Sequence, residues 1–102
     1  MGLRKALEFL IKDFAIHEYP DRKSDIEKSQ LASVIGQYVT DPNVKSCATR
    51  AVWLGNDETH YMRKWEDKDI TDLQTLVRLT VIWIESHQMT KTYLEAMPEG
   101  RR

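Results

Sequence analysis

The sequence predicts an all-α protein, most simply a small antiparallel bundle of about four helices with a long C-terminal helix. Three observations support this prediction. Apolar residues recur at intervals of three and four in four separate stretches, which is the spacing of one face of an α-helix. Prolines, glycines and N-capping residues lie between these stretches. No stretch of convincing length alternates apolar and polar residues as a half-buried strand does. At 102 residues, a single domain spanning 1–102 is expected.

The first two predicted helices have a clear boundary between them. The first ends before Tyr19-Pro20, because proline disfavours helical backbone in the residue that precedes it. The second begins at Ser24, where Glu27 three residues later completes a capping box, and it continues to Tyr38. Apolar residues line the first helix at Leu3, Leu7, Leu10, Ile11 and Phe14.

The third predicted helix carries small apolar residues and ends at a glycine. Asp41 is suited to cap it, and Pro42 to occupy its first position, where no backbone N–H is needed. Gly55 suits the left-handed position that ends many helices. Residues 56–68 then form a polar connection that is long for a small bundle, and long loops often carry function.

The last predicted helix is the longest. Asp69 caps it, and the apolar pattern runs from Ile70 to about Met97. Its length is therefore about 40 Å, which exceeds what a compact bundle of this size requires, so its end is free to project and bind a second copy. The predicted core face comprises Ile70, Leu73, Leu76, Val77, Val81 and Ile84.

Composition narrows the functional classes. The formal net charge is −1, which does not favour a broad, nonspecific nucleic-acid surface, although a local basic patch stays possible. A single cysteine, Cys47, cannot form an internal disulfide, so a cytoplasmic location is expected. No segment approaches the roughly 20 apolar residues of a membrane helix, so no membrane partner is expected. The chain opens directly into a helical pattern, and one interpretation is that it is a fragment of a longer domain.

The stretch GNDETH is the first candidate site. An imidazole ordinarily exchanges protons near neutral pH, so His60 could serve as general acid or base in phosphodiester cleavage, with Asn56 orienting the substrate. Arg50, Arg63 and Lys64 are candidates for binding nucleic-acid phosphates. The alternative interpretation is a helix end followed by a solvated turn, with scattered surface charge around it.

A metal site is the second candidate and is not favoured. The three histidines are His17, His60 and His87, and no two of them have the short spacing of metal ligands. No phosphate-binding loop or dinucleotide fingerprint is present. We therefore expect no metal and no cofactor.

Three segments of the chain resemble a known family. They are LRKALEFLIKDFAI, CATRAVWLGNDETHY and DKDITDLQTLVRLTVIWIE. In this order they are similar to the bacterial HEPN-like family catalogued as domain of unknown function 4145. The resemblance spans nearly the whole chain and is most specific at the central L-G-N-x-x-x-H, here Leu54 to His60.

The resemblance implies a small, often dimeric all-α domain. Many HEPN-like domains are metal-independent endoribonucleases whose sites form at a dimer interface from an arginine, a polar residue, three variable residues and a histidine. By position, Asn56 is the polar residue and His60 the histidine, but Gly55 stands where the arginine belongs. Glycine supplies no charge to the scissile phosphate, and Arg50 or Arg63 would have to replace it.

Three functional hypotheses follow. The first is a homodimeric accessory or RNA-binding module in a nucleic-acid defence or stress system. The second is a metal-independent endoribonuclease that uses His60 with Asn56. The third is a protein–protein interaction module whose last helix binds a partner through an apolar stripe that includes Trp83, Met89 and Tyr93.

Overall fold

A computed structural model describes residues 2–59 and 70–98, with side chains for 3–55 and 70–98. Over these residues the chain forms five α-helices and one short 3-10 turn, without a strand. The all-α prediction is therefore confirmed. The elements are α1 (Gly2–Glu18), the 3-10 turn (Pro20–Arg22), α2 (Lys23–Lys28), α3 (Leu31–Tyr38), α4 (Pro42–Thr59) and α5 (Ile70–Ala96).

The three long helices set the direction of the bundle. The start of α4 lies beside the C-terminal half of α5, where Asp41 contacts His87. The end of α4 lies beside the start of α1, where Gly55 faces the side chain of Arg4. The end of α1 also contacts His87, through Glu18. Helix α4 is therefore antiparallel to α1 and to α5, and the core lies between these helices and α3.

The second predicted helix is in fact two short helices. Ser24 is not a cap: α2 begins at Lys23, and no side chain caps its start. The chain becomes extended at Ser29, whose hydroxyl donates to the carbonyl of Asp25 at 2.7 Å, a local hydrogen bond that competes with helix continuation. The next buried residue, Leu31 at the start of α3, comes five positions after the buried Ile26. That spacing does not fit one helix face, so the break allows both helices to bury their apolar side chains.

Helix α4 begins as predicted and ends later. The Asp41 carboxylate accepts the backbone N–H groups of Asn43 at 2.9 Å and Val44 at 3.0 Å, so the predicted cap is confirmed. The predicted stop at Gly55 is wrong, because the helix continues to Thr59. Gly55 is buried within the helix, and a Cβ added there would lie 3.9 Å from Cγ of Arg4. The glycine therefore sits at a helix contact instead of a turn.

Helix α5 has the predicted bounds but only part of the predicted core face. Leu73 and Ile84 are buried, whereas Ile70 is 48% exposed and does not belong to the core. Thr80, a polar residue absent from the predicted face, is fully buried. Its hydroxyl donates to the carbonyl of Leu76 at 2.7 Å, which satisfies it locally.

The end of α5 projects from the bundle. Residues 91–98 are all exposed, and the described part of the chain measures 59 × 29 × 19 Å. The expectation that this helix is longer than the bundle needs is therefore confirmed. Within the described ranges, no helix has the length and apolar character needed to cross a membrane.

Candidate functional site

Most of the predicted nucleic-acid site lies outside the described residues. His60, Arg63 and Lys64 belong to the segment 60–69, and Asn56 is described only as part of the α4 backbone. The proposed roles of these four residues stay predictions. Arg50 is described and is exposed on α4.

Arg50 interacts with its own helix. Its Nη1 donates to the carbonyl of Ser46 at 3.1 Å. Its guanidinium carbon lies 5.4 Å from the centre of the Trp53 ring, the geometry of a cation–π contact. The two side chains form an exposed cationic and aromatic pair one turn before Gly55.

A second arginine near Gly55 was missed in the sequence. The aliphatic part of Arg4 packs against Gly55 from the first turn of α1, although the two residues are 51 positions apart in the chain. No local motif reveals this contact, because it depends on the antiparallel arrangement of α1 and α4.

His87 is the centre of a polar cluster between three helices. Its Nδ1 lies 3.1 Å from Oδ2 of Asp41, and its Nε2 lies 3.5 Å from Oε1 of Glu18. Lys91, one turn further along α5, places its Nζ 3.7 Å from Oε2 of Glu18. The edge of the imidazole meets the ring of Phe14 at 88°, with the centroids 5.4 Å apart. The cluster fixes α5 to the end of α1 and the start of α4.

Asp41 has two roles in this cluster. One carboxylate oxygen caps α4, and the other faces His87. Burial alone would raise the pKa of Asp41, but hydrogen bonds from the Val44 backbone, the His87 ring and the Asn43 backbone together lower that pKa below its usual value. Asp41 is therefore held as a carboxylate that serves both α4 and α5.

The cluster does not have the features of an open catalytic site. Both ring nitrogens of His87 face carboxylate oxygens, so neither is free to accept a proton from a substrate. Oε2 of Glu18 is buried without a hydrogen bond and has only the ion pair with Lys91. A cleft of about 370 Å³ opens beside these residues. Among the side chains that the structure describes, no group of three or more has metal-binding geometry.

The opposite side of α5 is apolar and uncovered. Its residues recur at intervals of three and four, as along one seam of a coiled coil. We call this set the outer face; it comprises Leu79, Ile82, Ser86, Met89, Tyr93 and Ala96. The residues that face the bundle follow the same alternation on the other side; they are Leu73, Val77, Thr80, Ile84, His87 and Lys91. Helix α5 therefore has two apolar sides, and the described part of the chain covers one of them.

Exposure confirms that the outer face has no partner within the described structure. Ile82 is 49% exposed, and Met89 and Tyr93 are each 63% exposed. Trp83 was predicted to share an exposed stripe with Met89 and Tyr93, but it is partly buried and packs against the core. That part of the predicted stripe is wrong, because residue 83 lies between the two sides of the helix.

Comparison with models of known protein families, with curated proteins and with solved structures found no match to this chain. The HEPN-like resemblance therefore stays a prediction.

Proposed function

We propose that this protein is a homodimeric helical interaction module whose two copies join through the outer face of α5. The observation that carries the proposal is the row of exposed, mostly apolar side chains on the outer face, which only Ser86 interrupts. Isolated exposed apolar residues are ordinary, but a contiguous patch marks an interaction surface. A partner helix is the natural occupant, because the spacing of three and four residues is the one that lets two helices interlock their side chains.

The size of the surface suits the face of a single partner helix. Four large apolar residues of the outer face are between 37% and 63% exposed; they are Leu79, Ile82, Met89 and Tyr93. With roughly 200 Å² for a fully exposed residue of this size, they expose on the order of 400 Å². That is about half of the roughly 800 Å² that a stable interface buries on each partner, and the exposed end of the chain's last helix, residues 91–98, adds to it. A second copy would present the same face, so the two surfaces match in size.

The charges that border the outer face allow this pairing. Arg78 and Glu85, of opposite charge, lie along one edge with the uncharged Thr92, and the uncharged Thr90 lies along the other edge. Pairing the face with itself therefore brings no row of like charges together, which would oppose association. In the cell we place this dimer in the cytoplasm, as an accessory or RNA-sensing module of the kind that the HEPN-like resemblance implies.

The mass in solution tests the proposal. Sedimentation equilibrium of the full chain is expected to give a dimer at micromolar concentration. The variant Met89→Glu places a charge at the middle of the outer face and is expected to weaken dimerisation at least about 100-fold, because an unpaired charge buried in an interface costs several kcal/mol. The control is Phe9→Glu, which makes the same kind of change at a residue of α1 that is 71% exposed.

The outcomes are distinct. A dimer that Met89→Glu dissociates and Phe9→Glu leaves intact supports the proposal. A monomer at high micromolar concentration contradicts it. A dimer that only Phe9→Glu dissociates places the interface on α1 and also contradicts it.

A second candidate function is a metal-independent endoribonuclease, and one contact favours it. The side chain of Arg4 packs on Gly55, the position where the HEPN-like pattern has its arginine. Arg4 is thus a better candidate than Arg50 to supply the missing positive charge, because Arg50 is bound to its own helix through Ser46.

RNA cleavage in EDTA tests this second candidate. Cleavage that is lost in His60→Ala and in Arg4→Ala, and kept in the neighbouring control Lys5→Ala, would support it. Absence of cleavage and of RNA binding in the wild-type protein would exclude it and leave the interaction module as the function.

A further inference from the structure

We propose that the two copies of α5 pair antiparallel and in one register, in which Ile82 lies opposite the partner's Tyr93. This inference rests on the proposed dimer and specifies its geometry. In the same register Leu79 lies opposite the partner's Ala96, and Ser86 lies opposite the partner's Met89. These three pairs and their symmetry mates use every residue of the outer face.

The sizes of the side chains favour this arrangement. Interlocked helices pack best when large and small residues alternate across the contact, so that each layer has a similar volume. The antiparallel register pairs Leu79 with alanine and Ser86 with methionine, so that no layer consists of two small residues, and the pair of Ile82 with Tyr93 forms the largest layer. A parallel pair would place each residue against its own copy, giving layers of two serines, two methionines and two tyrosines in succession. Those layers differ widely in volume, so some would be too empty and others too crowded.

The anchoring of α5 points to the same arrangement. The helix is held to the bundle up to the ion pair between Glu18 and Lys91, and all residues from 91 to 98 are exposed. In the antiparallel register, the projecting end of each helix lies along the anchored segment around Ile82 of the other. In a parallel pair, the two projecting ends would contact only each other. Antiparallel helices also place opposite ends of their macrodipoles together, which is the favourable orientation.

Cysteine cross-linking of the full chain tests the register. Cys47 is first replaced in Cys47→Ala, so that introduced thiols are the only ones. The native thiol is partly buried; burial raises the pKa of Cys47, although Arg50 and Trp83 oppose the increase. Ile82→Cys and Tyr93→Cys are then made as separate chains in this background, one with a mass tag, and are mixed and oxidised. The sedimentation mass of each variant is measured before oxidation.

The antiparallel register predicts disulfides between the two different chains. Mixed dimers are expected to exceed either self-linked dimer by roughly tenfold, because a disulfide requires Cα atoms within about 7 Å. Two copies of residue 82 would lie about 16 Å apart along the helices, eleven residues at 1.5 Å each. The variant Gln88→Cys, made in the same background and mixed with Ile82→Cys, is the control at a position off the outer face.

Each outcome decides the question. Preferential mixed linkage of the 82 and 93 chains, without linkage to the 88 control, supports the inference. Self-linkage of both chains without mixed linkage shows a parallel dimer and overturns the register while leaving the dimer intact. A monomeric mass of the Cys47→Ala background chain, whose outer face is intact, overturns the proposed function and this inference together.

Discussion

Two isoleucines on α5 show how differently the two sides of this helix are used. Ile84 is 6% exposed and belongs to the core, whereas Ile82, two residues earlier, is 49% exposed. The same side chain on the same helix is thus buried on one side by α1 and α4 and uncovered on the other. The side of α5 that faces the bundle, which we call the inner side, fixes the helix in place, and the described residues leave the outer face uncovered.

Truncating the buried isoleucine is expected to have the largest effect. Ile84→Ala should lower the free energy of unfolding by about 3 kcal/mol, because it removes buried methylene groups and leaves a cavity. Ile82→Ala should change it by less than about 0.5 kcal/mol when the protein is dilute enough to be monomeric. Urea unfolding of both variants, followed by circular dichroism, measures the difference. Equal losses would show that the outer face is buried within the monomer.

The polar cluster around His87 is expected to contribute less to the free energy of unfolding than the buried apolar residues of α5. His87→Gln should lower the free energy of unfolding by about 1–2 kcal/mol, because Asp41 and Glu18 lose the ring that separates and binds them. His17→Gln is the matched control, since His17 is exposed near the end of α1. If the two variants unfold alike in urea, the cluster does not anchor α5.

Acid titration isolates the contribution of Asp41. A carboxyl whose pKa is lowered on folding stabilises the protein above its unfolded pKa, about 3.9, and loses that stabilisation as the pH falls through the lower, folded pKa. Asp41→Asn keeps a capping side chain and removes the charge. We therefore expect the wild-type protein to be about 1 kcal/mol more stable than the variant at pH 6. The difference should vanish well below pH 4. A difference that persists unchanged to pH 2 would assign the loss to packing and not to charge.

The sequence was sufficient to predict the elements that depend on local chemistry. The cap at Asp41 and the bounds of α5 follow from residue types at fixed spacings, and both are confirmed. The stop at Gly55 was wrong because glycine serves both at helix ends and at close helix contacts, and only the position of Arg4 distinguishes the two. The His87 cluster was also unpredictable. Its members lie at positions 18, 41 and 87, and tertiary packing alone brings them together.

The outer face was only partly visible in the sequence, for a related reason. A helix with apolar residues on two opposite sides has no single apolar direction, so its pattern shows that it is helical without showing which side is the core. The prediction therefore grouped Trp83 with Met89 and Tyr93, although Trp83 packs against the core. The two apolar sides of α5 differ only in whether other described helices pack against them.

The smallest expected effect comes from the polar residue in the outer face. Ser86 is exposed in the monomer, so Ser86→Ala should raise the free energy of unfolding by at most about 0.5 kcal/mol, through the higher helix propensity of alanine. The buried Thr80 is the counterpart on the inner side, where Thr80→Ala removes a methyl group and a satisfied hydroxyl from the core. Thr80→Ala should therefore destabilise the monomer, while Ser86→Ala should not. Urea midpoints measured at dilution compare the two, and a loss of more than about 1 kcal/mol in Ser86→Ala would mean that the side of α5 opposite the core is not free to bind a second copy.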